Sequence, residues 1–423
     1  MTSSRTALRG VALAGAACLL LAACAADASD EAESPATDES PVEVEGGLVI
    51  GSLLPETGSL AFLGPPEIAG VDLAVQEIND AGGVLGADVV HVSADSSDAD
   101  HADVAPQSWS DLQSQGVSAV IGAASSSVTK LVVDDIANSE TVMVSPANTA
   151  TSLSGYSPYY FRTAPPDTVQ GSALGNLIVS DGITDLGILA FNEEYGTSLR
   201  DVIKETVEAA GVTVTYGGPG QEFDPAAASF ADAVTSVLAT NPQAIALVAF
   251  DQTKSIVPEL AAQGFTGSLY MVDGNTADYS ADFDPGTLAA WHTQGTIPGA
   301  FPDDAFRERL LTVNPDLDDF SYAAESYDAT ILVALAALKG GGTDGPTIQA
   351  AMAAVSGANG GTECTGFAEC AALVEAGEEI DYVAASGAGP FNEANDPASA
   401  FIGIYEYGDD NTYTWVKAVE GQA

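Results

Sequence analysis

Short apolar runs alternate with stretches of helical periodicity along most of this 423-residue chain, and this alternation constrains the fold most. Residues 48–54, which are apolar except for Gly51 and Ser52, and the continuous apolar run 244–250 have the length and character of buried strands. Between such runs, apolar residues recur at helical spacing, as at Ile68, Val71 and Ile78. Strands that alternate with helices form parallel sheets covered on both faces. The alternation therefore predicts an α/β protein built on doubly wound parallel sheets.

The same strand and helix rhythm begins a second time partway along the chain, which predicts two similar lobes. The length also favours more than one domain. We assign residues 47–164 and 295–385 to lobe one, and residues 165–294 and 386–423 to lobe two. The apolar alternation at 402–416 predicts a hairpin that closes the second lobe.

The N-terminus carries an export signal. Arg5 and Arg9 precede an apolar run at 11–21 that is too short to span a bilayer. The run ends in Leu-Ala-Ala-Cys, which resembles a bacterial lipobox whose cysteine, Cys24, is lipidated. We therefore predict a signal peptide at residues 1–23 and a lipid anchor on Cys24. The alternative is an ordinary secretory signal cleaved after small residues.

The segment that follows the signal is acidic and lacks a basic residue. Residues 24–46 hold eight acids and two prolines, a composition that cannot bury enough apolar surface to fold. We expect a disordered tether that holds the folded part on the outer face of the cytoplasmic membrane.

The net charge excludes one class of partner. The formal charge is −49 for the whole chain, and the signal peptide carries two arginines and no acid. A protein this acidic has no basic patch with which to bind nucleic acid. The charge instead favours solubility. We expect the protein to be a monomer.

The cysteines and histidines indicate a structural role and no metal site. Beyond the anchor, Cys364 and Cys370 remain, and an oxidising compartment favours a disulfide between them. His91, His101 and His292 lack the spacing of metal ligands. We expect neither a metal nor another cofactor.

Two loops of small and hydroxyl-bearing residues indicate a binding site without a catalyst. One loop precedes a helix that begins near Ser127, and the other spans 145–149 after a strand. Such loops line the crevice at the carboxyl ends of parallel strands, where helix N–H groups favour a carboxylate. The serines alone could simply cap the helix. A secreted hydrolase is a weaker alternative, since the Gly-x-Ser-x-Gly motif is absent.

An ordered series of motifs resembles the type I periplasmic binding proteins. Residues 55–58, 70–79 and 81–86 resemble the opening of that family, and most closely its branched-chain amino acid-binding group of ABC-transporter receptors. The pairs Tyr195-Gly196 and Asp273-Gly274 continue the match in the same order. The set covers roughly residues 47–416, and its order carries more weight than any single motif.

The resemblance implies two lobes that are joined by three crossing strands and close on a ligand. Residue by residue, Ser125, Ala147 and Thr149 would face the carboxylate of an amino acid. Tyr195 would shut over the ligand, and Asp273 would meet its ammonium group.

Some positions depart from the family pattern. Asp273 stands where relatives often carry glutamate, Asn148 replaces a small residue, and Phe250 is a candidate wall of the pocket. The resemblance implies a non-enzymatic lipoprotein receptor that delivers a small amino acid-like ligand to an ABC transporter permease, with branched-chain amino acids leading. Short amides, urea and aromatic acids remain alternatives, as does a lipoprotein that senses its ligand instead of delivering it.

Overall fold

The computed structural model describes residues 46–422. The predicted signal peptide, the Cys24 lipidation site and almost the whole acidic tether therefore lie outside the described residues. Within residues 46–422, no helix combines the length and apolar character needed to cross a membrane.

Fourteen strands are present in the described part of the chain. They are β1 Val49–Leu54, β2 Val90–Asp95, β3 Ala119–Gly122, β4 Val142–Ser145, β5 Tyr160–Arg162, β6 Asp185–Ala190, β7 Thr213–Tyr216, β8 Ala244–Val248, β9 Ser268–Met271, β10 Gln294–Pro298, β11 Thr362–Cys364, β12 Ile380–Tyr382, β13 Ser399–Tyr407 and β14 Tyr413–Gln422.

Eleven α-helices connect them over the same residues. They are α1 Gly64–Asp80, α2 Val104–Ser114, α3 Ser126–Asn138, α4 Asp167–Ser180, α5 Glu194–Ala209, α6 Ala231–Leu238, α7 Thr253–Ala262, α8 Asp304–Val313, α9 Ala323–Gly340, α10 Gly345–Val355 and α11 Gly366–Glu375.

Lobe one is built on a parallel sheet of five strands in the order β2-β1-β3-β4-β5. The chain returns to this lobe late, because α9 packs against α1 and its residues are buried from Ala323 to Ala337. Alanines let the two helices approach closely, which explains why this helix is rich in them. A two-stranded parallel sheet, β11-β12, completes the lobe.

Lobe two is built on a seven-stranded sheet in the order β14-β13-β10-β9-β8-β6-β7. Strands β6 to β10 run parallel, whereas β13 pairs antiparallel with both β10 and β14. The predicted α/β fold and its closing hairpin are confirmed, with one correction: the second sheet is mixed. The hairpin extends a parallel sheet at its edge and so avoids another helical crossover.

Two boundaries between the lobes differ from the predicted ones. Strand β10, divided by the predicted boundary at 294/295, lies wholly in the second sheet between β9 and β13. Phe391, assigned to lobe two, packs in the core of lobe one against Phe161. Both boundaries move for the same reason. The lobe to which a short segment belongs is decided by the distant strands or rings that it packs against, and the local sequence pattern does not show these contacts. The chain passes between the lobes three times, after β5, after β10 and before β13.

A disulfide joins Cys364 at the end of β11 to Cys370 in α11. Both cysteines are buried in the core of lobe one, with Phe367 between them. The bond fixes the start of α11 against the small sheet and lies far along the chain from the loops of the predicted site.

Candidate ligand-binding site

The loop after β3 supplies the first wall of the site. Ser125 is the N-cap of α3, and its hydroxyl accepts a hydrogen bond from the Val128 N–H at 3.3 Å. The capping role suggested by the serines is therefore present in the structure. The same residue is buried at the edge of the cleft, so capping and a position beside a ligand are compatible.

The loop after β4 is braced by Asn148, one of the departures from the family pattern. Its side-chain amide donates to the Thr129 hydroxyl at 2.8 Å and to the Ala123 carbonyl at 3.3 Å. Its carbonyl oxygen accepts from the Tyr160 hydroxyl. These bonds tie the two lobe-one loops together and hold the neighbouring Ala147 in place.

Lobe two supplies an aromatic wall. Tyr195 lies in the first turn of α5, and its ring stacks on Phe250 with centroids 5.5 Å apart and planes 14° apart. Phe250 also packs on Gly274, where an added Cβ would lie 2.6 Å from the phenyl ring. A glycine after Asp273 is therefore required by this packing.

Asp273 is the buried acid of the site. Its Oδ1 accepts from the Tyr195 hydroxyl at 2.6 Å and from the Gln170 amide at 2.7 Å, and its Oδ2 accepts from the Tyr322 hydroxyl at 2.6 Å. Burial raises the pKa of Asp273, and the three hydrogen bonds oppose the rise. The carboxylate is thus held by neutral donors, without a cation among its partners in the described chain.

Sequence reasoning did not identify Tyr322 or Gln170 as site residues. Tyr322 precedes α9 in a left-handed conformation with φ of 59°, which is uncommon for a bulky residue. Strain of this kind is found at functional sites. The sequence carried no signal for the contact, because Tyr322 lies 49 residues from Asp273 along the chain.

These loops enclose a small cavity of about 20 Å³, which we call the central cavity. Five of the six predicted ligand-binding residues line it: Ser125, Ala147, Tyr195, Phe250 and Asp273. The other lining residues are Leu60, Leu63, Ala124, Ser126, Asn148, Gly274 and Tyr322. A volume of this size holds about one water molecule. Lobe-one residues Leu60 and Ala147 pack with the core of lobe two, so the lobes are closed over the cavity.

Thr149, the sixth predicted residue, lies behind the cavity and does not line it. It is fully buried, and its hydroxyl has no hydrogen-bond partner among residues 46–422. Its carbonyl accepts from the Asp167 N–H at 2.7 Å, which directs the loop toward the start of α4. Burial raises the pKa of Asp167 to about 7.

The lining residues define what the central cavity can do. They include two serine hydroxyls, an aromatic wall and one carboxylate, and no lysine, arginine, histidine or cysteine is among them. This set can orient a small polar molecule by hydrogen bonds and accept one positive charge. It lacks the pairing of a nucleophile with a base that covalent catalysis requires.

Comparison with known proteins shows the family. A family model described as periplasmic binding protein matches residues 47–372. The substrate-binding protein BasB of a chemotactic signal transduction system in Halobacterium salinarum is 27% identical over 375 residues, covering 84% of this chain and 86% of BasB. A leucine-, isoleucine-, valine-, threonine- and alanine-binding protein of Pseudomonas aeruginosa is 25% identical over 372 residues, covering 86% of this chain and 90% of that protein.

A solved structure supports the fold. The branched-chain amino acid transporter substrate-binding protein LivJ of Streptococcus pneumoniae, in complex with isoleucine, superposes with a TM-score of 0.68 at 19% identity, covering 89% of this chain and all of LivJ. The resemblance seen in the sequence motifs is confirmed. This chain belongs to the periplasmic binding protein family, as a type I member related to the branched-chain amino acid receptors.

Proposed function

We propose that this protein is a receptor that captures a small amino acid-like zwitterion in the central cavity and delivers it to an ABC importer. Branched-chain amino acids are the first candidates for this ligand. The observation that carries the proposal is Asp273, a buried carboxylate at the base of a cleft between two lobes, surrounded by neutral donors.

The two sides of the cleft suit the two ends of a zwitterion. On the lobe-one side, the Ser125 hydroxyl and the backbone N–H groups at the start of α3 are donors suited to a carboxylate. On the lobe-two side, Asp273 is suited to an ammonium group. Leu60, Leu63 and Phe250 would offer an apolar surface to the ligand's side chain once the lobes have opened.

The closed lobes imply that binding requires opening. A cavity of about 20 Å³ does not hold a leucine-sized molecule. A ligand must therefore enter while the lobes are apart and displace at least one hydroxyl from Asp273 as they close again. A ligand that touches both lobes favours the closed state, and small-angle scattering should then report an open apo protein that contracts on binding.

Export and anchoring belong to the same proposal. The lipidated Cys24 would hold the receptor on the outer face of the cytoplasmic membrane, next to its permease. Ligand sensing is a second candidate, favoured by the similarity to a substrate-binding protein of a chemotactic system. Both functions use the same cavity, and they differ in the membrane partner that recognises the closed lobes.

The experiment is a thermal-shift screen followed by calorimetry. The panel holds leucine, isoleucine, valine, alanine, short amides, urea and benzoate. A true ligand at a hundred times its dissociation constant should stabilise the protein by about 2.7 kcal/mol. Two derivatives of each amino acid test the two charged groups separately. The amide keeps the ammonium and loses the carboxylate, whereas the N-acetyl derivative loses the ammonium. Binding only of urea or of benzoate would overturn the zwitterion proposal.

A further inference from the structure

A second and larger cavity lies beside the crossing that follows β10. Its volume is about 540 Å³, within the range of small-molecule sites. Both lobes line it: Phe62 and Phe320 belong to lobe one, and Tyr405 and Tyr413 belong to lobe two. We call it the hinge-side cavity, because the end of β10 and residues 300–302 of the crossing form part of its wall.

The carboxylate of Glu325 faces this cavity without a hydrogen-bond partner from another residue. Glu325 lies in the first turn of α9, is 3% exposed and is among the residues that line the cavity. Within residues 46–422, its side chain receives no hydrogen bond except from its own backbone. Its Oε1 rests against Gly299 in the crossing, where an added Cβ would lie 2.0 Å away. An unpaired carboxylate in such a place is costly, so it calls for a cation or a proton.

The other charges around the cavity do not satisfy Glu325. Asp278, Asp318 and Asp319 also line it, and Asp319 already accepts from the Tyr413 hydroxyl at 3.3 Å. The one basic lining residue, Arg307, pairs with Asp304 and lies over the rings of Phe301 and Phe320, so it is not directed at Glu325. Four carboxyl groups and one guanidinium therefore line the cavity, so acids outnumber bases around it.

The rings make the cavity suited to an organic cation more than to a metal ion. Tyrosine and phenylalanine faces attract ammonium groups through cation–π interactions. Among the described residues, no three His, Cys, Asp or Glu side chains come together as a metal-binding group. A cavity of this volume also exceeds what a single hydrated metal ion would fill.

We propose that the hinge-side cavity binds an organic ammonium ion, with its charged group on Glu325 and its carbon atoms against the rings of Phe320 and Tyr405. The site is distinct from the central cavity, because Tyr322 is the one residue that lines both. The occupant would touch both lobes and so favour the closed state.

Tyr322 also connects the two sites. Its ring borders the hinge-side cavity, and its hydroxyl donates to Asp273 at 2.6 Å. An occupant that fixes this ring would change the affinity of the central cavity, and the effect must be reciprocal. This part of the inference rests on the proposed function, whereas the binding of an ammonium ion does not.

The test uses choline, putrescine and, as a neutral isostere of choline, 3,3-dimethylbutan-1-ol, with the purified protein. Calorimetry should show binding of choline or putrescine and none of the neutral alcohol. Glu325→Gln keeps the shape and removes the charge, and it should weaken binding by roughly tenfold or more. Glu308→Gln, on the exposed face of α8, is the matched control and should bind as the wild type does.

Further variants keep the result decisive. Phe320→Leu removes a ring and should weaken choline binding by roughly three- to tenfold even if Glu325→Gln folds poorly. Asp273→Asn should retain choline binding, because Glu325 and the rings of the cavity are still present. If choline binding survives Glu325→Gln and is lost in Asp273→Asn, the amine occupies the central cavity and the proposal is wrong. No binding of choline or putrescine at about 10 mM to the folded wild type would also overturn it, without bearing on the zwitterion screen.

Discussion

Asp273 and Glu325 are both buried carboxylates near Tyr322, yet their surroundings are opposite. Asp273 receives three hydrogen bonds from neutral side chains, whereas Glu325 receives none from another residue in the described chain. Burial raises the pKa of both groups. The difference shows that burial alone does not define a carboxylate's role. Hydrogen bonds favour the charged form of Asp273 and oppose the effect of burial, whereas Glu325 lacks such donors and needs a proton or a cation.

The cavities beside these acids differ in volume. The central cavity has closed to about 20 Å³, and the hinge-side cavity keeps about 540 Å³. In the closed arrangement, side chains of both lobes meet over Asp273. Beside Glu325, the crossing and the residues of both lobes line a cavity that is not filled by side chains. In our proposal Asp273 meets its ligand when the lobes open, whereas Glu325 faces a cavity that is present while the lobes are closed.

The largest expected effect is the loss of zwitterion binding in Asp273→Ala. Removing one partner of a buried charge pair costs about 2–5 kcal/mol, roughly thirty- to several-thousand-fold in affinity. Asp135→Ala, on the exposed face of α3, is the control and should change nothing. If calorimetry gives an affinity for leucine within about threefold of wild type in Asp273→Ala, Asp273 is not the ammonium partner.

A pH dependence of stability is expected from other buried acids. Burial raises the pKa of Asp167 and of Glu193 to about 7, and it raises that of Glu67 well above its usual range. A raised pKa in the folded state means that the folded protein binds more protons than the unfolded chain. The free energy of unfolding should therefore fall as pH rises from about 4 to 7, by up to about 1.4 kcal/mol per pH unit for each group.

Denaturant unfolding at several pH values measures this slope. Asp167→Asn should flatten it between about pH 4 and 7, while Asp135→Asn should leave it as in the wild type. A stability that rises steadily with pH across this window would contradict the raised pKa values of these acids.

Neutralising Asp273 and neutralising Glu325 should have different effects on stability. Asp273→Asn replaces one acceptor oxygen with an amide donor facing hydroxyl and amide donors, and should destabilise the fold by about 1–3 kcal/mol. Glu325→Gln removes a charge that has no partner and should be neutral or stabilising at pH 8. Urea unfolding of both variants at one pH provides the measurement. Equal destabilisation would mean that Glu325 has a partner in solution.

The smallest expected effect is that of Tyr322→Phe, which removes one of the three bonds to Asp273 and keeps the ring. A single hydrogen bond contributes about 0.5–1.5 kcal/mol, so stability should fall modestly and the pKa of Asp273 should rise further. Tyr413→Phe, which loses a longer bond of 3.3 Å to Asp319, is the comparison variant and should cost less. If Tyr322→Phe has no effect on either quantity, the link between the cavities is not made through this hydroxyl.

By itself, the sequence determined the alternation of strands and helices, the two lobes and the loops at the strand ends, because these follow from local periodicity and turn residues. Ordered motifs also located Tyr195 and Asp273. The tertiary structure alone decided that β10 belongs to the second sheet and that Thr149 lies behind the cavity. It also brought Tyr322 and Gln170 to Asp273 from 49 and 103 residues away. Pairing across such distances depends on how the whole chain packs, so no local pattern records it, and the same holds for the unpaired Glu325 beside the crossing.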